Sequence, residues 1–245
     1  MKLKILNSGS AGNCYILENE TSALIIECGV KFSDIKKALD FNLNKVAGVL
    51  VSHEHQDHCK SIKDVVAAGL DVYCSEGTKQ SMGVRSHRIK PLVNQRKRYI
   101  GGFTVMPFDV KHNCKEPFGF IINHPECGNV LFITDSYYVA YTFKNLNNIL
   151  VEANYSTDIV NQRLIDGNIH GKVRDRLIES HMSLDTCKAL LRANDLTAVN
   201  NIILIHLSDG NSNAELFKKE VAAETGKKVT IASKGIEIDF GKTPF

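Results

Sequence analysis

An apolar run that ends in a cluster of histidines restricts this chain more than any other feature. Val46–Val51 carries no charge and reads as a strand buried on both faces. Directly after it comes Ser52-His53-Glu54-His55-Gln56-Asp57-His58. The chain has nine histidines in 245 residues and three of them fall here, so chance explains the cluster poorly. Neutral imidazole nitrogens and a carboxylate oxygen are the donor set for zinc, manganese or iron(II). Alternation in His53-x-His55 lets both rings face one metal. Asp57 and His58, one turn further on, can face another.

The rest of the chain supplies strands that end in a similar way. Lys2–Leu6, Cys14–Leu17 and Ala23–Glu27 read as strands, with the turn Ser8-Gly9-Ser10-Ala11-Gly12-Asn13 between the first two. Ser33 is expected to cap a helix over Asp34–Leu39, and a second helix is expected from Cys59 to Ala68. Further strands are expected at Gly102–Val110, Phe118–Asn123, Asn129–Thr134, Ile149–Val151, Asn201–His206 and Lys228–Ala232. Helices are expected between Ser156 and Arg192 and over Asn213–Thr225. Strands outnumber helices, which suggests two sheets with helices on their outer faces.

Composition narrows the class without naming a function. With 43% hydrophobic and 23% charged residues the chain is an ordinary globular one, which excludes a disordered or low-complexity class. Thirty Lys and Arg against 27 Asp and Glu give +3, too weak a bias for a general nucleic-acid coat. No run of 18 apolar residues and no leader pattern is present, so a cytoplasmic protein without a membrane partner is expected. The seven cysteines form no C-x-x-C pair, which favours neither a disulfide framework nor a zinc knuckle. With no repeat and no linker visible, one domain over residues 1–245 is the simplest organisation.

The H-x-H-x-D-H pattern after an apolar strand resembles the metal-binding signature of the metallo-β-lactamase superfamily. The Ser8–Asn13 turn resembles that of the compact subgroup containing YycJ-like nucleases, phosphoribosyl cyclic phosphodiesterases and RNase Z. The resemblance covers most of the chain. It implies an α/β fold, a four-layer αββα sandwich, with ligands collected at strand ends. His53, His55 and His112 would hold one divalent ion, zinc or manganese. Asp57, His58 and His206 would hold a second, and Asp135 would bridge them. Two such ions, about 3.5–4 Å apart, lower the pKa of a bridging water and clamp an in-line displacement. Asp57 is thereby also a catalytic candidate, and its change to Ala is expected to abolish hydrolysis while leaving the fold largely intact.

Two further catalytic candidates come from the same resemblance. Ser180-His181-Met182-Ser183 is similar to the segment that places a histidine beside the scissile phosphate in RNase Z-like enzymes. Glu152, at an acidic strand end, would orient His181; the plainer readings are a helix-start histidine and an ordinary salt bridge. The sequence also departs from the family pattern. Glu27-Cys28-Gly29 stands where Asp-x-Gly is usual, Ser180 where close relatives often have Gly, and Tyr155 where YycJ-like chains often have His. His87 and His124 read as surface residues. The basic clusters Lys79–Lys97 and Lys172, Arg174, Arg176 read by default as solvated faces.

The function expected from these readings is phosphodiester hydrolysis by metal-activated water. A small cyclic phosphate is favoured as substrate, as in the phage anti-Pycsar cyclic nucleotide phosphodiesterases, because the charge is nearly balanced and no long gripping arm is evident. The alternative is a YycJ-like exonuclease acting on ends of DNA or RNA. A metal-binding scaffold without activity is the contrasting class, and the complete set of ligand-capable residues argues against it. The resemblance also implies a homodimer.

Overall fold

The computed structural model describes residues 1–243; residues 244 and 245, the last two of the expected 1–245 domain, lie outside the described residues. Among the described residues, fourteen strands form two seven-stranded sheets. The first contains β1 (Lys2–Asn7), β2 (Cys14–Glu18), β3 (Ala23–Ile26), β4 (Val46–Leu50), β5 (Val72–Cys74) and β6 (Ile89–Pro91). The second contains β7 (Arg98–Ile100), β8 (Phe103–Asp109), β9 (Phe118–His124), β10 (Gly128–Ile133), β11 (Leu146–Glu152), β12 (Asn201–Ile205) and β13 (Lys228–Ile231). The chain then returns to the first sheet as β14 (Ile236–Asp239), antiparallel to β1.

Helices cover both outer faces. On the first sheet lie α1 (Phe32–Ala38), α2 (Gln56–Cys59), α3 (Ile62–Ala67) and α4 (Glu76–Ser81). The later helices are α5 (Thr157–Ile165), α6 (Gly171–Ser180), α7 (Leu184–Arg192) and α8 (Ala214–Thr225). Alternation along the strands makes this layering possible. In β3 and β4, Leu24, Ile26 and Leu50 face the other sheet, where Phe103, Phe120 and Phe132 meet them. Ile25 and Val49 face outward and are covered by Ile35, Ile62 and Val65. Cys187, Leu191, Phe217 and Val221 cover the outer face of β11 and β12 in the same manner. Three apolar layers therefore separate four layers of secondary structure, as the αββα expectation requires.

Several local expectations are corrected. Lys31, not Ser33, is the N-cap of α1, and Ser33 sits inside the helix. The helix expected from Cys59 to Ala68 breaks into α2 and α3, because Ser61 turns to bond Cys28 through its backbone N–H and Val30 through its hydroxyl. β11 begins at Leu146, earlier than expected, because its asparagines are satisfied inside the fold: Asn148 donates to Cys127 O and accepts from Asn201. His124 is buried against the Phe103 ring, 4.8 Å between centroids, and is not a surface residue.

β1 and β2 are tied to the next loop by an ion-pair triad. Lys4 Nζ lies 2.5 Å from Glu18 Oε1 and Lys45 Nζ 2.8 Å from Oε2. Burial raises the Glu18 pKa, but the two ammonium groups outweigh it and the net shift is downward from 4.5. A depressed carboxylate stabilises the fold above its unfolded-state pKa and loses that contribution as pH falls. Glu18→Gln is expected to cost about 1 kcal/mol at pH 7. In urea unfolding series, the gap to the parent should close as the pH is lowered below about 4.5.

Candidate metal centre

In the second sheet β8, β10, β11, β12 and β13 run in one sense, so the carboxyl ends of β8, β10, β11 and β12 open on one edge. Parallel β3 and β4 bring the Glu27 and His53 segments to the site from the first sheet. Open α/β sheets bind ligands beyond such strand ends. His53, His55, Asp57 and His58 follow β4, His112 follows β8, Asp135 follows β10, Glu152 ends β11 and His206 follows β12.

Two ligand-capable tetrads gather the expected ligands there and share Asp135: His53, His55, His112 and Asp135, and Asp57, His58, Asp135 and His206; a third group joins Asp135 and His206 to Glu152 and His181. His55 Nδ1 lies 3.1 Å from His53 Nε2 and 3.2 Å from His112 Nε2. Asp135 Oδ2 lies 3.5 Å from His53 Nε2 and 3.2 Å from His58 Nε2, while its Oδ1 lies 3.3 Å from His206 Nδ1. Asp57 Oδ2 is 3.3 Å from His58 Nε2 and 3.4 Å from His206 Nε2.

The opposite ring nitrogens are held by other groups. His53 Nδ1 meets Ser52 Oγ at 2.8 Å, and His112 Nδ1 donates to the Ser180 carbonyl at 2.8 Å. Such contacts fix which nitrogen presents a lone pair. The donor set therefore fits divalent cations: imidazole lone pairs and one buried carboxylate converge, with no lysine or arginine among them. Burial, reinforced by His58, lowers the His53 pKa and keeps that ring neutral, the form that ligates.

The loops are pinned by backbone contacts that the sequence does not display. Asn13 N–H donates to Asp57 O at 2.7 Å and Cys28 N–H to His58 O at 2.8 Å. The Asn13 side chain reaches Asp57 O and His58 Nε2, and Asn154 Nδ2 donates to His206 O at 2.7 Å. Ser8 Oγ accepts the His206 N–H at 2.9 Å, so the glycine-containing turn braces both ends of the site. Glu27, Asp135 and His206 all adopt left-handed backbone with φ of 64, 43 and 54°. For non-glycine residues this costs about 1–2 kcal/mol each, a strain that concentrates at functional sites. Asn13 was legible only as part of a turn, and Asn154 carried no signal beyond lying two residues after Glu152.

The longer carboxylate at position 27 does reach the site. Its Oε1 accepts the Ser52 N–H at 3.1 Å, and Oε2 faces His58 Nδ1 at 3.6 Å, beyond hydrogen-bond distance. Both of those facing atoms are buried without a hydrogen-bond partner. Tyr155 takes no part in either tetrad; its carbonyl accepts the Leu184 N–H and anchors the start of α7. Glu54 bonds Lys115 N through Oε1 and stays outside the ligand groups.

His181 lies beside this cluster, with Nδ1 2.8 Å from Glu152 Oε1. Burial works against a charged ring, but Glu152 outweighs it and the His181 pKa is raised. Glu152 Oε2 is held in turn by the Ser136 and Met182 N–H groups. A cleft of about 500 Å³ opens over the centre, lined by His55, Asp57, His112, Asp135, His181 and His206 on its floor and by α6 on one side. His87 and His170 are exposed and do not line it.

A sequence profile described as "Beta-lactamase superfamily domain" matches residues 25–207, about three-quarters of the chain, a range that includes every one of these ligand-capable residues. The chain belongs to the β-lactamase superfamily. Within it, the chain is 27% identical over 258 residues to the Bacillus anthracis "Exodeoxyribonuclease YycJ", covering 97% of this chain and 94% of that one. It is 26% identical over 257 residues to the Streptococcus pneumoniae "Exodeoxyribonuclease WalJ", covering 98% and 92%. The crystal structure of the metallo-β-lactamase fold protein YhfI from Bacillus subtilis superposes with a TM-score of 0.72 at 17% identity, over 97% of this chain and 98% of that one. The β-lactamase fold expected from the sequence is therefore the fold found. Among the described residues, no helix is long and apolar enough to cross a membrane.

Proposed function

We propose that this chain is a single-domain, binuclear, metal-dependent phosphodiesterase. The observation that carries the reading is Asp135, a buried carboxylate whose Oδ2 lies 3.5 Å from His53 of one tetrad and 3.2 Å from His58 of the other, while its Oδ1 faces His206. His53, His55 and His112 would hold one ion, Asp57, His58 and His206 the other, and Asp135 would serve both. Zinc or manganese bound there supplies Lewis acidity toward a phosphoryl oxygen and a hydroxide source near neutral pH.

The chain's own groups do the positioning. Glu152 fixes the His181 ring through Nδ1, which leaves the other ring nitrogen for the substrate, where an N–H stabilises charge on a phosphoryl or leaving oxygen. The cleft volume lies in the range of small-molecule sites, and with the weak net charge this supports a cyclic nucleotide or similar cyclic phosphate. A second reading, cleavage at the end of a nucleic-acid strand, is favoured by the full-length likeness to two exodeoxyribonucleases. Resemblance to the compact subgroup supports a cytoplasmic homodimer.

The purified protein, supplied with manganese or zinc, is expected to hydrolyse cyclic mononucleotides and to lose that activity in chelator. Degradation of single-stranded DNA alone would replace the cyclic reading by the second. Absence of turnover on every phosphodiester by metal-loaded protein would remove both.

A further inference from the structure

Helix α6 forms one wall of the cleft, and its chemistry differs from that of the floor. Val173, Arg176, Leu177 and Ser180 recur at helical spacing and line the cleft together with Ile169 and Arg174. Apart from the ligand-capable groups and His181, Arg174 and Arg176 are the charged residues of that lining, and it contains no Phe, Tyr or Trp. Arg174 is already engaged, with Nε on Asn161 at 3.2 Å and Nη1 on Asp175 at 3.0 Å. Arg176 is exposed and has no hydrogen-bond or ion-pair partner among the described residues. Beside it Val173 is 55% exposed, an aliphatic surface at the mouth of a polar site.

A single scissile phosphate is accounted for by the metal floor and His181. A free guanidinium on the α6 wall, with the aliphatic side chains of Ile169, Val173 and Leu177 in the same lining, fits a second phosphate separated from the first by a nucleoside. Guanidinium groups bind phosphate oxygens through parallel N–H bonds, and aliphatic surface can cover a base or sugar face. We propose that Arg176 is a specificity residue that grips a non-scissile phosphate, so that this enzyme selects phosphodiesters with two phosphates over those with one. The inference rests on the phosphodiesterase reading and names its substrate class: the phosphorylated end of a strand, or a cyclic dinucleotide.

Thymidine dinucleotides with and without a 5′-phosphate differ only in the second phosphate, and their dissociation constants test the inference by calorimetry on the Asp57→Asn protein, in which turnover is suppressed. Arg176 unaltered is expected to give about tenfold tighter binding of the phosphorylated form, and Arg176→Ala to give equal binding of both. Equal binding with Arg176 in place, or a preference that survives Arg176→Ala, would overturn it. The same comparison between a cyclic dinucleotide and a cyclic mononucleotide tells which source supplies the second phosphate. Turnover of the four compounds by the unaltered protein, measured separately, reports on the phosphodiesterase reading alone.

Discussion

Asp135→Ala is expected to lower phosphodiester turnover by about a thousandfold and to reduce the metal content of the purified protein. The side chain is 3% exposed and is the one carboxylate common to both histidine tetrads. Its loss removes an anionic donor from each and leaves His53, His58 and His206 facing one another without the charge that balances them. Burial opposes ionisation of Asp135, yet the imidazoles of His206, His58 and His53 outweigh it and hold the carboxylate well below its ordinary pKa. Lewis-acid stabilisation of a phosphoryl transition state is worth several kcal/mol, and each 1.36 kcal/mol is a factor of ten in rate. Elemental analysis beside steady-state rates checks this. A variant that keeps the parental metal stoichiometry and rate would show that Asp135 does not serve both groups.

Gly29→Ala is expected to damage the site, by about a hundredfold in rate, without touching a candidate ligand. A Cβ at position 29 would lie 1.7 Å from Asp57 O and 2.8 Å from Asn13 N, and both are backbone atoms. Those atoms already bond each other at 2.7 Å, while Gly29 N–H donates to Asn13 O at 2.9 Å. Relief therefore requires the Asp57–His58 segment to move away from the Ser8–Asn13 turn. Overpacking costs about 1–3 kcal/mol, and in a chain of this size each kcal/mol lowers Tm by about 2–4 °C. Displacement of a catalytic group by about 1 Å can cost a hundredfold in rate. A melting point several degrees lower together with a hundredfold lower kcat is the expected pair. An unchanged rate would mean that the loop tolerates the shift.

Much of the candidate site was readable in the sequence because its ligand-capable residues follow strands that are apolar along their length. A strand buried on both faces must be a continuous hydrophobic run, so a histidine or aspartate directly after it stands out. Val46–Val51 before His53 and Asn201–Ile205 before His206 are of this kind. The readings failed where polar residues are buried by being satisfied, as with Asn148 in β11, or where a strand is short or at a sheet edge, as with β5 and β14. His124 was misplaced for the same reason, since its environment is made by Phe103 from the neighbouring strand.

The sequence by itself determined the donor types, their order along the chain and the layered α/β class, because these follow from residue chemistry and from the period of apolar side chains. Only the tertiary structure decided that Asp135 faces two histidine groups, that Glu27 Oε2 comes to 3.6 Å from His58 Nδ1, and that α6 brings a free arginine to the cleft. Those relations join residues far apart in the chain, and their distances are set by how two sheets pack and where each strand stops.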